Sequence, residues 1–167
     1  MTFILREIIG LMACDQHYVI ANKGKLPWHC PEEIDFYRNM IKNQIVIMGN
    51  KTFQEMPTSF CQEHTVIVFS RKHKSCSDVT VVSSLDEFYL LKNLPENKQC
   101  FMIGGAEIAR LFLENKALDH FYLSQINGHY PGDVFFPINL LRHYSSSIYK
   151  SDSSFTVHYY SHLKSAT

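Results

Sequence analysis

One acid in this chain sits where a helix should be apolar. Pro31 suits a first helical position and Glu32 and Glu33 follow it, so a helix is expected over Pro31–Ile41. At about 100° per residue, Ile34, Phe36, Tyr37, Met40 and Ile41 define an apolar arc with Glu33 inside it. Glu32 falls at the edge of the arc and Asp35 on the opposite side. Acids in a first turn complement the helix dipole, but that reading is weaker for the one that faces inward. A carboxylate turned toward a core is costly unless it is paired or works on a ligand. Glu33 is therefore a candidate for anchoring or protonating a bound molecule.

Upstream runs Ala21-Asn22-Lys23-Gly24-Lys25-Leu26-Pro27-Trp28, a polar loop that ends in the chain's only tryptophan. Trp28 either plugs the core or lies under a mobile loop covering a pocket that carries Glu33; spacing leaves both open. Three further junctions have residues suited to phosphate. Cys100-Phe101-Met102-Ile103 runs into Gly104-Gly105 ahead of a helical pattern, where glycine admits close backbone approach and a helix start offers free N–H groups. Met48-Gly49-Asn50-Lys51-Thr52 puts a lysine and a hydroxyl at another candidate helix start, and Phe69-Ser70-Arg71 puts a hydroxyl and a guanidinium beyond a strand. Any one of these is an ordinary turn on its own. Together they suggest a dinucleotide at the carboxyl ends of strands.

The elements that would position these residues are legible as alternation. Short apolar runs at 8–13, 45–48, 65–69, 79–82, 100–103 and 121–126 read as strands buried on both faces. Helical patterns at 31–41, 85–91 and 106–113 lie between them, and 144–150 with 155–163 form a hairpin around Ser151-Asp152-Ser153-Ser154. The expected fold is α/β, a mainly parallel sheet between helices with an antiparallel hairpin at the C-terminal edge. A length of 167 residues fits one domain, 1–167.

Composition narrows the function classes. Sixteen basic and sixteen acidic residues cancel, so no basic surface for nucleic acid or an anionic membrane is indicated. The run Arg71-Lys72-His73-Lys74 is too short to alter this. Five cysteines without a CxxC pair read as reduced thiols, and His158 with His162 lack a third ligand, so no metal is expected. Phe3-Ile4-Leu5 is broken by Arg6 and Glu7, too short for a signal segment, and no run approaches a membrane span; a cytoplasmic chain is expected. No amphipathic seam argues against a monomer.

In order along the chain, residues 8–13, Leu26-Pro27-Trp28, Glu33, Ile47-Met48-Gly49 with Lys51-Thr52-Phe53, Ser70-Arg71, Ile103-Gly104-Gly105, Tyr122-Leu123-Ser124 and Gly132-Asp133 with Phe136-Pro137 form a set that resembles the dihydrofolate reductase family. The resemblance implies an eight-stranded, mainly parallel sheet with an antiparallel final strand, and NADPH-dependent reduction of 7,8-dihydrofolate to tetrahydrofolate. It implies that Glu33 holds the pterin as a bidentate carboxylate, supported by Ser124 where the family usually has threonine. Leu11, Ala13, Leu26, Ile34, Tyr37, Met56 and Ile103 would line the slot shared by pterin and nicotinamide, with Phe60 and His64 on the substrate side. Trp28 would pack behind the loop and position water near Glu33, and Asp133 would brace the Leu26 loop. Gly49, Asn50, Lys51, Thr52, Gly104, Gly105, Ala106, Glu107 and Ile108, with Ala13, Ala21 and Ile103, would contact the cofactor. Ser70 and Arg71 would meet its 2′-phosphate.

Besides Ser124, four positions depart from the family pattern. The arginine that clamps the folate glutamate is replaced by Glu63, or by His64 with one extra loop residue. Ala21 replaces a glycine, Asn50 a common arginine and Ala109 a frequent tyrosine. The alternatives are an NADPH-dependent reductase of another dihydropterin without the glutamate tail, and a non-catalytic nucleotide-binding paralogue. A pyrimidine reductase of the riboflavin pathway fits poorly with Trp28 and Glu33.

Overall fold

The computed structural model describes residues 6–72 and 78–162. Phe3-Ile4-Leu5, His73 and Lys74, one of the five cysteines (Cys76) and the last position of the expected hairpin (Leu163) lie outside the described residues. Six apolar runs become the parallel strands β1 (Ile8–Cys14), β3 (Ile45–Gly49), β4 (Thr65–Phe69), β5 (Val79–Val82), β6 (Cys100–Met102) and β7 (His120–Ile126). Between β1 and β3 come a short strand β2 (Val19–Ala21) and helix α1 (Pro31–Ile41). Helices α2 (Asn50–Gln54) and α3 (Phe60–Glu63) join β3 to β4, α4 (Leu85–Tyr89) joins β5 to β6, and α5 (Ala106–Glu114) joins β6 to β7. A two-residue β8 (Val134–Phe135) and a 3-10 turn (Ile138–Leu141) lead to the hairpin β9 (Tyr144–Ser151) and β10 (Phe155–His162).

The eight-stranded sheet has the order β5-β4-β3-β6-β1-β7-β10-β9, and β10 pairs antiparallel with both neighbours. This is the expected mixed, mainly parallel architecture with its C-terminal hairpin at one edge. The central strands read as unbroken apolar runs because alternate residues serve two separate layers. Ile45 and Ile47 pack with Phe112, Phe121 and Ala109 on one face. Val46 and Met48 pack with Phe36, Ile41 and Phe60 on the other. Truncating a side chain such as Ile47 to alanine would cost about 2–5 kcal/mol by leaving a cavity. Among the described residues, no helix is long and apolar enough to cross a membrane.

The differences from expectation are local. The helix expected at 85–91 stops at Tyr89, and Leu90 caps it. Ser151 belongs to β9 rather than to the hairpin turn. β2 and β8 form their own two-stranded ribbon, Val19 against Phe135 and Ala21 against Val134. Strands this short leave no periodic signature, and their register comes from long-range pairing.

Candidate active site

Helix α1 covers one face of the sheet, and the acid inside its apolar arc faces that sheet. Phe36 and Ile41 are buried and Glu32 and Asp35 exposed, as the arc requires, while Glu33 is half-buried. Burial pushes the Glu33 carboxyl up to about 7, and the nearby Ser124 hydroxyl opposes the shift. Ser124 lies on β7 beside Ala13 of β1, is closed to solvent, and its hydroxyl has no partner at hydrogen-bond geometry among the described residues. One turn on from Glu33, the Tyr37 hydroxyl is held above its ordinary value, first by burial and then by the charge of Glu33, with Arg38 opposing.

The structure brings most of the expected slot together in this layer. Leu11, Trp28 and Phe60 are buried in it, and Ala13, Tyr37, Met56 and Ile103 pack against it. Ile34 is half-buried on α1. Leu26 is not drawn in: it stands 65% exposed on the loop. An open groove of about 500 Å³ between α1 and β9, lined by Asp35, Phe36, Met40 and Tyr149 among others, contains none of the expected site residues.

The three phosphate-suited junctions fall on neighbouring strands, since β4, β3 and β6 are adjacent. The Gly49 N–H donates to the Gly104 carbonyl at 2.9 Å, which locks the ends of β3 and β6 together. The Gly104–Gly105 peptide is cis. A Cβ on Gly105 would stand 3.7 Å from the Thr52 hydroxyl, so the starts of α2 and α5 face each other across a glycine-lined gap. Gly105 is the N-cap of α5 and brings no side-chain acceptor to its first N–H groups. Lys51, Arg71 and Glu107 are exposed around this edge, with Asn50, Thr52, Ser70, Ala106 and Ile108 half-buried. The Ser70 hydroxyl accepts the Lys72 N–H at 3.2 Å.

The loop carrying Leu26 is braced from Asp133, the residue before β8. Asp133 accepts the Lys23 N–H with both oxygens, at 3.2 and 3.3 Å, and the Asp133 N–H donates to the Ala21 carbonyl at 3.0 Å. Trp28 meets Tyr130 edge-on, with ring centroids 6.0 Å apart. Sequence reasoning did not single out Tyr130, nor the acid Asp15 that holds its backbone. Both lie in polar stretches without periodicity, and only their convergence in space marks them.

The departing positions have defined surroundings. Glu63 is exposed, whereas the His64 ring stacks on Phe60 at 4.2 Å and its Nδ1 lies 3.0 Å from the Phe60 carbonyl. Ala109 is fully buried in the layer on the far face of the sheet. Among the described residues, Cys14, Cys30 and Cys100 are free thiols.

The family model described as dihydrofolate reductase matches residues 7–162. The dihydrofolate reductase of Bacillus subtilis (strain 168) is 30% identical over 128 residues, which cover 76% of this chain and 73% of the relative. That of Lactococcus lactis subsp. lactis (strain IL1403) is 31% identical over 137 residues, covering 78% and 77%. The type A13 dihydrofolate reductase of Escherichia coli is 30% identical over 133 residues, covering 79% and 78%. The order of motifs, the sheet they build and a match over nearly the whole length agree: the chain belongs to the dihydrofolate reductase family.

Proposed function

We propose that this protein reduces 7,8-dihydrofolate to tetrahydrofolate with NADPH, in the layer between α1 and the sheet. Family membership makes the chain an oxidoreductase acting on a small molecule. The observation that carries the finer reading is the pairing of Glu33, an acid raised toward neutrality, with the buried Ser124 hydroxyl, which meets hydrogen-bond geometry with no group among the described residues. A flat heterocycle with an amino group beside a ring N–H matches a carboxylate that accepts at both oxygens. Ser124 then completes the polar end of an otherwise apolar slot.

The residues at the β3 and β6 ends fit a dinucleotide. The gap at Gly105 is the space a side chain would fill, and the uncapped start of α5 presents N–H donors there. Gly104, Gly105, Lys51 and Thr52 would hold the pyrophosphate, and Ser70 with Arg71 the 2′-phosphate. When bound, NADPH supplies the hydride, and the protein supplies orientation, dryness and charge. Leu11, Ala13, Tyr37, Met56 and Ile103 would exclude water, which keeps a proton on Glu33 in the free site up to neutral pH; passing that proton to the pterin leaves the carboxylate that accepts at both oxygens. Leu26, exposed on a braced loop, is the side chain that closes the slot from outside.

A second reading concerns the substrate's tail. With His64 engaged at the Phe60 carbonyl and Glu63 of the wrong sign, the bidentate arginine fork for a glutamate carboxylate is missing. That favours a dihydropterin without the tail. NADPH consumption is measured with dihydrofolate and with a tailless dihydropterin. A strong preference for dihydrofolate supports the first reading, and equal or better turnover of the tailless compound supports the second. Cofactor binding without turnover of either would defeat both.

A further inference from the structure

Asp15, just past the end of β1, is closed to solvent, and the two oxygens of its carboxylate do different work. Oδ1 accepts the N–H groups of His17 at 2.8 Å and Val19 at 2.9 Å, closing the turn that launches β2. Oδ2 accepts the N–H of Tyr130 at 2.8 Å, from the loop between β7 and β8. The same seam is closed by the Gln16 N–H donating to the Gly128 carbonyl at 3.2 Å. Stacking of His17 on His129, with centroids 3.8 Å apart, adds to it. The Tyr130 ring then meets Trp28. The turn needs one oxygen, which an asparagine would also offer. Among the described residues the second oxygen reaches only Tyr130, and there an amide would set donor against donor.

From this geometry we infer that Asp15 is a positioning residue, fixing Trp28 through the backbone and ring of Tyr130. The inference rests on the proposed place of Trp28 in the site. Burial pushes the Asp15 carboxyl up, but the N–H donors of Tyr130, Val19 and His17, with the His17 charge, outweigh it and hold the group below its ordinary value. Asp15 is thus ionised throughout the neutral range, when both oxygens must accept.

Trp28 is the only tryptophan, so its emission reports its own surroundings in the intact protein. Asp15→Asn is expected to shift that emission and to lower kcat for dihydrofolate about tenfold with KM little changed, as displaced site walls do. Tyr130→Ala should give the same shift and loss, and the double variant should be no worse than either single one, because both cut one path. Tyr130→Phe keeps the ring and the N–H, and should behave as wild type. A folded Asp15→Asn with unchanged emission and kcat, or losses that add in the double variant, would overturn the inference. Should Asp15→Asn not fold, an amide-to-ester replacement at Tyr130, which removes only the N–H that Oδ2 accepts, decides by the same two readings. If the wild type does not reduce dihydrofolate, the functional proposal has failed; the emission of the variants still supports or overturns the positioning role.

Discussion

The Ser124 hydroxyl lies beside the Glu33 carboxyl, near enough to lower its pKa, yet it meets the geometry of a hydrogen bond with no group among the described residues. A buried hydroxyl without a partner is a stability cost of about 1–3 kcal/mol unless something else satisfies it. Its persistence beside an acid of raised pKa fits a ligand that arrives with its own polar edge.

Ser124→Ala should therefore leave the free protein as stable as wild type or about 1 kcal/mol more stable, since no protein bond is lost. The same change should lower kcat/KM for dihydrofolate about tenfold, while Ser124→Thr retains the hydroxyl and most of the rate. Thermal unfolding and steady-state kinetics on the two variants check this. Loss of stability with unchanged kinetics would make Ser124 a purely structural residue.

Glu33 carries a pH signature of defined sign. Its folded pKa, about 7, lies above the ordinary 4.5, so between those values the folded protein keeps a proton that the unfolded chain releases. Stability from this group therefore falls as pH rises through that window and is level above it. Glu33→Gln should match wild type near pH 4 and exceed it by up to about 3 kcal/mol above pH 7. Turnover of dihydrofolate should nonetheless drop sharply in the variant at neutral pH. In the wild type, turnover should decline as the carboxyl ionises above about pH 7. Denaturant titrations at the two ends of the range test the linkage directly.

The two adjacent glycines separate fold from cofactor. Gly105 has an extended backbone, and a methyl there meets only the Thr52 hydroxyl at 3.7 Å, an ordinary contact. Gly105→Ala should fold normally while its methyl fills the gap between the starts of α2 and α5, raising the KM for NADPH about tenfold or more. Gly104 has φ +110, and a Cβ there would press on the Met12 methyl at 2.9 Å. Gly104→Ala should lose stability by about 1–3 kcal/mol. Equal NADPH affinity in Gly105→Ala and wild type would remove the glycine gap from the cofactor site.

Much of this was readable from the chain because burial leaves marks at short range. Residues 45–48 are apolar without interruption since β3 is covered on both faces, and Glu33 is conspicuous because one polar residue breaks an arc of period 3.6. The glycines at 104 and 105 announce a turn into a helix for steric reasons. Asp15 left no such mark: a short acid ahead of Gln16 and His17 is what any polar turn contains. Its significance depends on Tyr130, 115 residues away. Leu26 shows the converse. The family resemblance implies a slot residue, yet its side chain is exposed, because a loop's position is set by what braces it rather than by its own apolarity.

That brace yields the last prediction. Asp133 is exposed, so replacing it removes two long hydrogen bonds to the Lys23 N–H without opening the core. Asp133→Ala should change stability by no more than about 0.5 kcal/mol, the usual range for a surface site. The loop from Asn22 to Leu26 would lose its side-chain anchor and keep only its tie to the ribbon, the Asp133 N–H to the Ala21 carbonyl. Local opening is then easier, and hydrogen exchange at Lys23 should speed up while β1 and β3 stay protected. If Leu26 closes the slot, kcat falls severalfold and Trp28 emission becomes more sensitive to quencher. Gly132→Ala is the contrasting case, since its Cβ would lie 2.8 Å from the Ala21 carbonyl and collide with Val19. It should displace the β2–β8 ribbon itself and destabilise the fold by about 1–3 kcal/mol. Faster exchange at Lys23 with unaltered turnover in Asp133→Ala would show that the loop's brace is not coupled to the reaction.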